Sequence, residues 1–197
     1  YLAEGRLVVV SALTKGRLPD IAVSLAMLGV DVYVEGLGRD AVDISLGNDG
    51  WWCSHDVNLG FTAEAASSQN GGFRSFWAGK GRIKMVDTHE QREWLLESKE
   101  GRVVAAPSGM YTGGRIIGYV RRHMPNPDAV FMITNYQAEG TRGHDLLRAV
   151  REGKKEASFE DFRGKEFAVP VRARVKVYQM SGHLAGGENI AFVKYLW

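Results

Sequence analysis

Apolar positions along the chain alternate between two rhythms. Short apolar runs at Leu7–Ser11, Val30–Val34, Arg82–Val86, Arg102–Ala106 and Ala129–Thr134 read as strands. Between them lie stretches with helical spacing. Pro19 sits where a first helical turn accepts it, and Ile21–Leu28 carries a helical pattern that stops at Gly29. Arg39–Leu46 follows as a short helix. Thr88 is placed to cap a helix through Ser98, with Glu90-Gln91 near the capping-box position. Gly113–His123 and Thr141–Arg151 complete the helical set. Lys165–Met180 reads as a pair of strands, in which Val169, Val171, Ala173, Val175 and Val177 alternate with mostly charged residues, and Asn189–Leu196 is again helix-like.

Repeated strand–helix units predict an α/β fold with a mostly parallel sheet flanked by helices, Rossmann-like in layout. Residues 47–80 break the pattern. Gly, Asn, Ser and Trp predominate there without periodicity, which fits a lid, a surface excursion or short helices. No internal repeat or linker divides residues 1–197, so one domain is expected.

Composition narrows the class. A 197-residue chain with 45% hydrophobic content can bury a real core. The single cysteine, Cys53, excludes a disulfide framework and fits a reducing, cytoplasmic setting. No apolar run approaches the roughly 18 residues that suggest a membrane span, and the N-terminus has no signal-peptide pattern. A start at Tyr1 suggests a fragment of a longer protein.

The net charge of +2 conceals a split. Residues 1–70 hold four Lys/Arg against nine Asp/Glu, and residues 71–197 hold 21 against 14. The basic part suits a polyanion, whose phosphates release counterions when neutralised, or else a solvated basic surface.

Three segments could carry chemistry if their strand ends gather along one sheet edge, where open α/β folds build sites. Glu35 ends the second strand, just before Gly36-Leu37-Gly38. Ser108-Gly109-Met110-Tyr111-Thr112-Gly113-Gly114-Arg115 is a glycine-rich break with the composition for amide donors converging on an anion, or for a tight turn. Ser181-Gly182-His183 delivers a histidine at a turn. Glu35 alone reads first as a solvated carboxylate at a strand end. Gly36-x-Gly38-x-x-Ala41 also imitates a dinucleotide fingerprint, but Trp51–Asp56 does not supply the acid-ended strand that motif needs. Arg115, Arg121, Arg122 and His123 form a candidate phosphate-contacting face on one helix, or a solvated helix end.

In order along the chain, these segments resemble the β-CASP module of metallo-β-lactamase-type nucleases, the family of ribonuclease J and the pre-mRNA cleavage endonuclease. Gly5–Leu13 resembles the family's first strand. Val32-Tyr33-Val34-Glu35 looks like motif A. Ser108-Gly109-Met110 with Gly113-Gly114-Arg115 is similar to the SGM…GGR loop. Asn135-Tyr136-Gln137-Ala138-Glu139-Gly140-Thr141 resembles G-Y-Q-x-x-G-T, with Asn135 in place of Gly. Ser181-Gly182-His183 looks like motif B. Five such matches in order are specific. Residues 47–80 have no counterpart.

The resemblance implies a β-CASP cap running into the start of the C-terminal metallo-β-lactamase portion, inserted in a zinc-dependent ribonuclease. It implies Glu35 and His183 as a catalytic pair, with the carboxylate holding a general-acid histidine protonated. It implies RNA contact through Ser108, Gly109, Met110, Gly113, Gly114, Arg115, Tyr136, Gln137, Ser181 and Gly182. The partners implied are RNA and the metallo-β-lactamase domain of the same full-length chain, with no membrane; a homodimer is an open option. Zinc belongs to the full-length protein, its ligands outside this chain. The five histidines, His55, His89, His123, His144 and His183, show no ligand-like spacing. The fragment is therefore expected to hold no metal and to be inactive alone. A non-catalytic RNA-binding or assembly module on the same fold is the alternative, and a dinucleotide enzyme the third.

Overall fold

The computed structural model describes residues 1–27, 29–46, 82–98 and 101–178. After a short 3-10 turn at Leu2–Glu4, the elements run β1 (Val8–Ser11), α1 (Arg17–Met27), β2 (Val32–Val34), α2 (Leu37–Leu46), β3 (Ile83–Met85), α3 (His89–Glu97), β4 (Val103–Ala106), α4 (Ile116–His123), β5 (Val130–Ile133), α5 (Arg142–Arg151), β6 (Glu156–Glu160), β7 (Glu166–Pro170) and β8 (Arg174–Val177). The strands β3-β2-β4-β1-β5-β8 form one sheet in that order, and every pair in it is parallel. This is the α/β architecture that the strand–helix alternation predicts.

Burial on both faces explains the unbroken apolar character of the central strands. All four residues of β1 and of β4 are buried. Val8, Val10, Val32, Val34, Val103, Ala105 and Val130 join the core under α1 and α2. Val9, Val104, Ala106, Phe131 and Ile133 join a second core with α3, α4, α5 and the β6–β7 hairpin. Gly38 belongs to the first of these layers. A Cβ there would come 2.5 Å from Leu18 Cδ1, so the glycine lets α2 close onto α1. Its place in a fingerprint-like spacing thus has a packing cause.

Two expectations require correction. The helix predicted from Gly113 begins only at Ile116, because Gly113 and Gly114 have φ of 122° and 75°, outside the helical region. The two strands predicted within Lys165–Met180 are β7 and β8, and they lie in different sheets. β7 pairs antiparallel with β6, while β8 extends the main sheet beside β5. The chain turns between them where the Arg172 and Ala173 N–H groups both donate to the Met124 carbonyl. The sequence carries little signal for β6, which has only two inward apolar residues, Ala157 and Phe159, among polar ones.

The other correction concerns His123. It is buried, not on a phosphate-facing surface, and its Nε2 is 2.7 Å from the Leu96 carbonyl oxygen. Burial pushes its pKa below the ordinary 6.5; the Leu96 carbonyl opposes this and Arg122 adds to it. A depressed histidine pKa means that the unfolded chain binds more protons just below that ordinary value, so acid favours unfolding. We therefore expect stability to fall as pH drops from 6.5 toward the lower folded value. His123→Gln should flatten this part of the profile in thermal melts across pH; an unchanged profile would assign the effect to another group.

Candidate functional site

The C-terminal ends of β1, β2, β3 and β4 open into a cleft of about 940 Å³. Its floor and walls include Thr14, Glu35, Gly36, Val86–Thr88 and Pro107-Ser108; Arg115, Gly118 and Arg121 close one side, and Asp161-Phe162 of the hairpin tip lean over it. This is the edge on which open parallel sheets place their sites.

Glu35 is the buried anchor of the cleft, at 2% exposure. Its backbone N–H donates to Ala105 of the neighbouring strand, which fixes it at the sheet edge. Arg92 on α3 places Nε 2.5 Å from Glu35 Oε1. The first turn carrying Arg92 is set by a reciprocal cap: Thr88 Oγ1 accepts from the Gln91 N–H and Gln91 Oε1 accepts from the Thr88 N–H. Gly118 on α4 admits the arginine, since a Cβ there would sit 2.9 Å from its Nη2. Arg115 Nε lies 3.9 Å from the same carboxylate oxygen with half of its side chain exposed, and its Cγ rests against Gly36. The Tyr119 hydroxyl is buried close by. Burial first, then the Glu35 charge, hold that phenol far above its ordinary value.

Glu35 is ion-paired but not saturated. Neither of its oxygens, nor Arg92 Nε, nor the Tyr119 hydroxyl makes a hydrogen bond of regular geometry. A buried carboxylate with spare lone pairs between two guanidinium groups retains the capacity to accept a further donor.

The glycine-rich loop is braced from behind. The Ile116 N–H donates to Pro107 O, closing the loop at its base. Gly109 is forced by contact: a Cβ would lie 2.8 Å from Asn135 Oδ1 and 2.9 Å from the Leu13 nitrogen. Asn135 Oδ1 in turn accepts from the Leu13 N–H and the Thr134 hydroxyl, tying the ends of β1 and β5 together. Gln137 is buried and donates through Nε2 to the carbonyls of Gly109 and Asn135. Gly143 of α5 makes room for it, and the Gly143 N–H donates to Met110 O. Tyr111 is wholly buried with φ of 60°, so its ring is no surface for a ligand.

The structure therefore brings Glu35, Ser108, Gly114 and Arg115 into one cleft. Gly109, Met110 and Gln137 stand behind that surface as its support, and Gly113 faces open space beside it. Tyr136 is 79% exposed but does not line the cleft. Ser181, Gly182 and His183, together with residues 47–80, lie outside the described residues. Arg92, Tyr119 and Phe162 were not singled out from sequence. Nothing in the spacing links Arg92 or Tyr119 to Glu35, whereas Asp161-x-x-Gly164 is a turn signal that would have exposed Phe162.

Charge in the cleft is more balanced than the basic second part of the chain suggests. Arg39 pairs with Asp40 and Asp87, and Arg92 with Glu35. Arg115 and Arg121 are the cations with the longest ion pairs, each 3.9 Å from a carboxylate oxygen and at least half exposed, although Arg121 also stacks on Phe167. Among the described residues, no three His, Cys, Asp or Glu side chains gather in a way that would hold a metal ion.

The family model of the Beta-Casp domain matches residues 27–146. Over 114 residues, 58% of the chain, it is 31% identical to transcription termination factor FttA of Methanocaldococcus jannaschii, covering 17% of that protein. It is 33% identical to an RNase J-like protein of the same organism over 116 residues, 59% of this chain and 23% of the relative. The FttA of Thermococcus kodakarensis is 27% identical over 157 residues, 77% of this chain and 23% of the relative. The chain thus spans less than a quarter of each of these relatives.

Removing Glu35 should expose how much of the cleft hangs on it. Glu35→Ala leaves the mostly buried Arg92 with only the longer, 3.8 Å pair to Glu93, and we expect a loss of about 3 kcal/mol in chemical denaturation. Glu35→Ala combined with Arg92→Leu should recover part of that loss. Additive losses in the double variant would mean that the two side chains are not coupled.

Proposed function

We propose that this chain, which belongs to the Beta-Casp domain family, is the RNA-gripping cap of a metal-dependent ribonuclease and shapes one wall of its active site. The observation that carries this reading is the convergence of buried Glu35, the loosely paired Arg115 and the Ser108–Gly114 loop at the C-terminal sheet edge. One relative is named for transcription termination and another as RNase J-like, and both names support RNA as the ligand.

In this reading the cap binds and orients. Arg115 and Arg121 receive backbone phosphates, since both cations are held loosely enough to re-pair with an anion. Glu35 receives the N–H of His183 on its spare lone pairs and favours the imidazolium, the form needed to protonate a leaving 3′ oxygen. Arg92 keeps the carboxylate in place. Zinc is assigned to the metallo-β-lactamase domain of the intact protein. Isolated residues 1–197 are then inactive.

The intact protein is the proper test. Its affinity for single-stranded RNA should fall linearly with salt on a log–log plot. Arg115→Ala with Arg121→Ala should flatten the slope by about 1.4, at roughly 0.7 for each phosphate that is no longer neutralised. An unchanged slope would reduce both arginines to surface charges. Chelator-sensitive RNA cleavage is expected of the intact protein and none of residues 1–197. Cleavage by the fragment would contradict the cap role; tight binding without cleavage by the intact protein would leave a purely RNA-binding module.

A further inference from the structure

The β6–β7 hairpin is built more firmly than a surface hairpin requires. Phe159 is fully buried and packs against Tyr111 and Phe167, with ring centroids 6.1 Å away in each case. The Arg121 guanidinium lies 4.1 Å from the Phe167 centroid, joining the hairpin to α4. Arg142 of α5 pairs with both Glu160 and Glu166, one from each strand.

The tip, Asp161-Phe162-Arg163-Gly164, is equally determined. The Asp161 N–H donates to Lys165 O and the Gly164 N–H to Asp161 O. Asp161 Oδ1 accepts from the Arg163 and Lys165 N–H groups at 2.9 and 3.0 Å. Gly164, with φ of 74°, supplies the left-handed residue that ends the turn.

On this fixed tip stands Phe162, 87% exposed. It contributes little to the hairpin's own packing, because the anchoring aromatics are Phe159 and Phe167. It lines the cleft that holds Arg115 and Arg121. The Arg163 guanidinium is 5.1 Å from its ring centroid. An exposed aromatic ring on a hydrogen-bonded turn, with a cation 5.1 Å from its centroid and two arginines in the same cleft, is an arrangement that can stack a base while its neighbours' phosphates are held.

We propose that Phe162 is the stacking platform for one unpaired base of a single-stranded RNA lying in the cleft. Arg163 backs the ring, and Arg115 and Arg121 take flanking phosphates. Stacking uses the π-face common to all bases, so Phe162 confers affinity and register with little base preference. This assignment rests on the RNA reading above and adds to it the position at which a base is gripped.

The test uses the intact protein and a 2′-O-methyl oligoribonucleotide, which resists cleavage, carrying 2-aminopurine at successive positions. Wild type should quench the fluorophore most strongly at one position. Phe162→Ala should abolish that quenching and weaken binding by about five- to a hundredfold, the span expected for one base–aromatic stack. Phe162→Tyr should retain both effects. Phe162→Leu, still apolar, should lose the quenching. Thermal melts of all three should match wild type, as expected for an exposed tip. Arg115→Ala should weaken binding yet leave the quenching at saturation.

If wild type binds and Phe162→Ala quenches and binds equally well, the stacking assignment is wrong while the RNA reading stands. If wild type does not bind the oligonucleotide, the RNA reading falls and takes this assignment with it. If Phe162→Ala instead dissociates a dimer in sedimentation with RNA affinity unchanged, the tip is a protein contact and the assignment is overturned.

Discussion

A carboxylate carried into the protein at the end of a β-strand must be compensated, and the geometry of the cleft follows from how Glu35 is compensated. Burying an unpaired charge costs several kcal/mol, so the surrounding elements have to deliver a cation to a fixed place. α3 does so through Arg92, the capping box at Thr88 and Gln91 fixes the turn from which that arginine reaches, and Gly118 removes the Cβ that would block it. Two helices on one face of the sheet are thereby locked to the end of β2. The pairing is nonetheless incomplete, which distinguishes it from an ion pair serving stability alone. Unsatisfied buried polar atoms are uncommon in folded proteins, and those around Glu35 sit in a cleft where a ligand or a further side chain has access.

The loop after β4 shows a complementary logic. Its residues divide into those that line the cleft and those that hold the lining still. Gly109 and Gly143 are there because other side chains occupy the space a methyl group would need, and Gln137 commits its amide to loop carbonyls. The family-like spacing of this region thus combines lining positions with support positions. Asn135, where the family pattern has glycine, bonds the Leu13 N–H and packs against Gly109, so the departure is absorbed by the local hydrogen-bond network.

The hairpin adds a wall that the parallel sheet does not provide. The crossovers place α3, α4 and α5 on one face, and the β6–β7 hairpin packs against α5 and α4 with its tip lining the cleft. Balanced charge within the cleft argues against binding by bulk electrostatic attraction. In the proposed RNA-binding role, Arg115 and Arg121 beside the exposed Phe162 give a mode in which phosphates set position and stacking adds affinity.

Much of the fold was legible in the sequence. Apolar runs flanked by helical periodicity determine strand and helix order, because the period of burial differs between the two elements and is written residue by residue. Glu35, the Ser108–Gly114 loop and their shared edge were likewise legible, since both follow strands that a parallel sheet must align. Three things needed the tertiary structure. Arg92 and Tyr119 reach Glu35 from other elements, and no local pattern encodes which side chain a buried charge will meet. His123 looks like part of a basic helix end, yet it faces the core, because helix rotation is decided by packing. Phe162 reads as one aromatic in a polar stretch, and only the docking of its hairpin against α4 and α5 carries it over the cleft. Local chemistry is set by the chain; the meeting of distant side chains is set by how its layers pack.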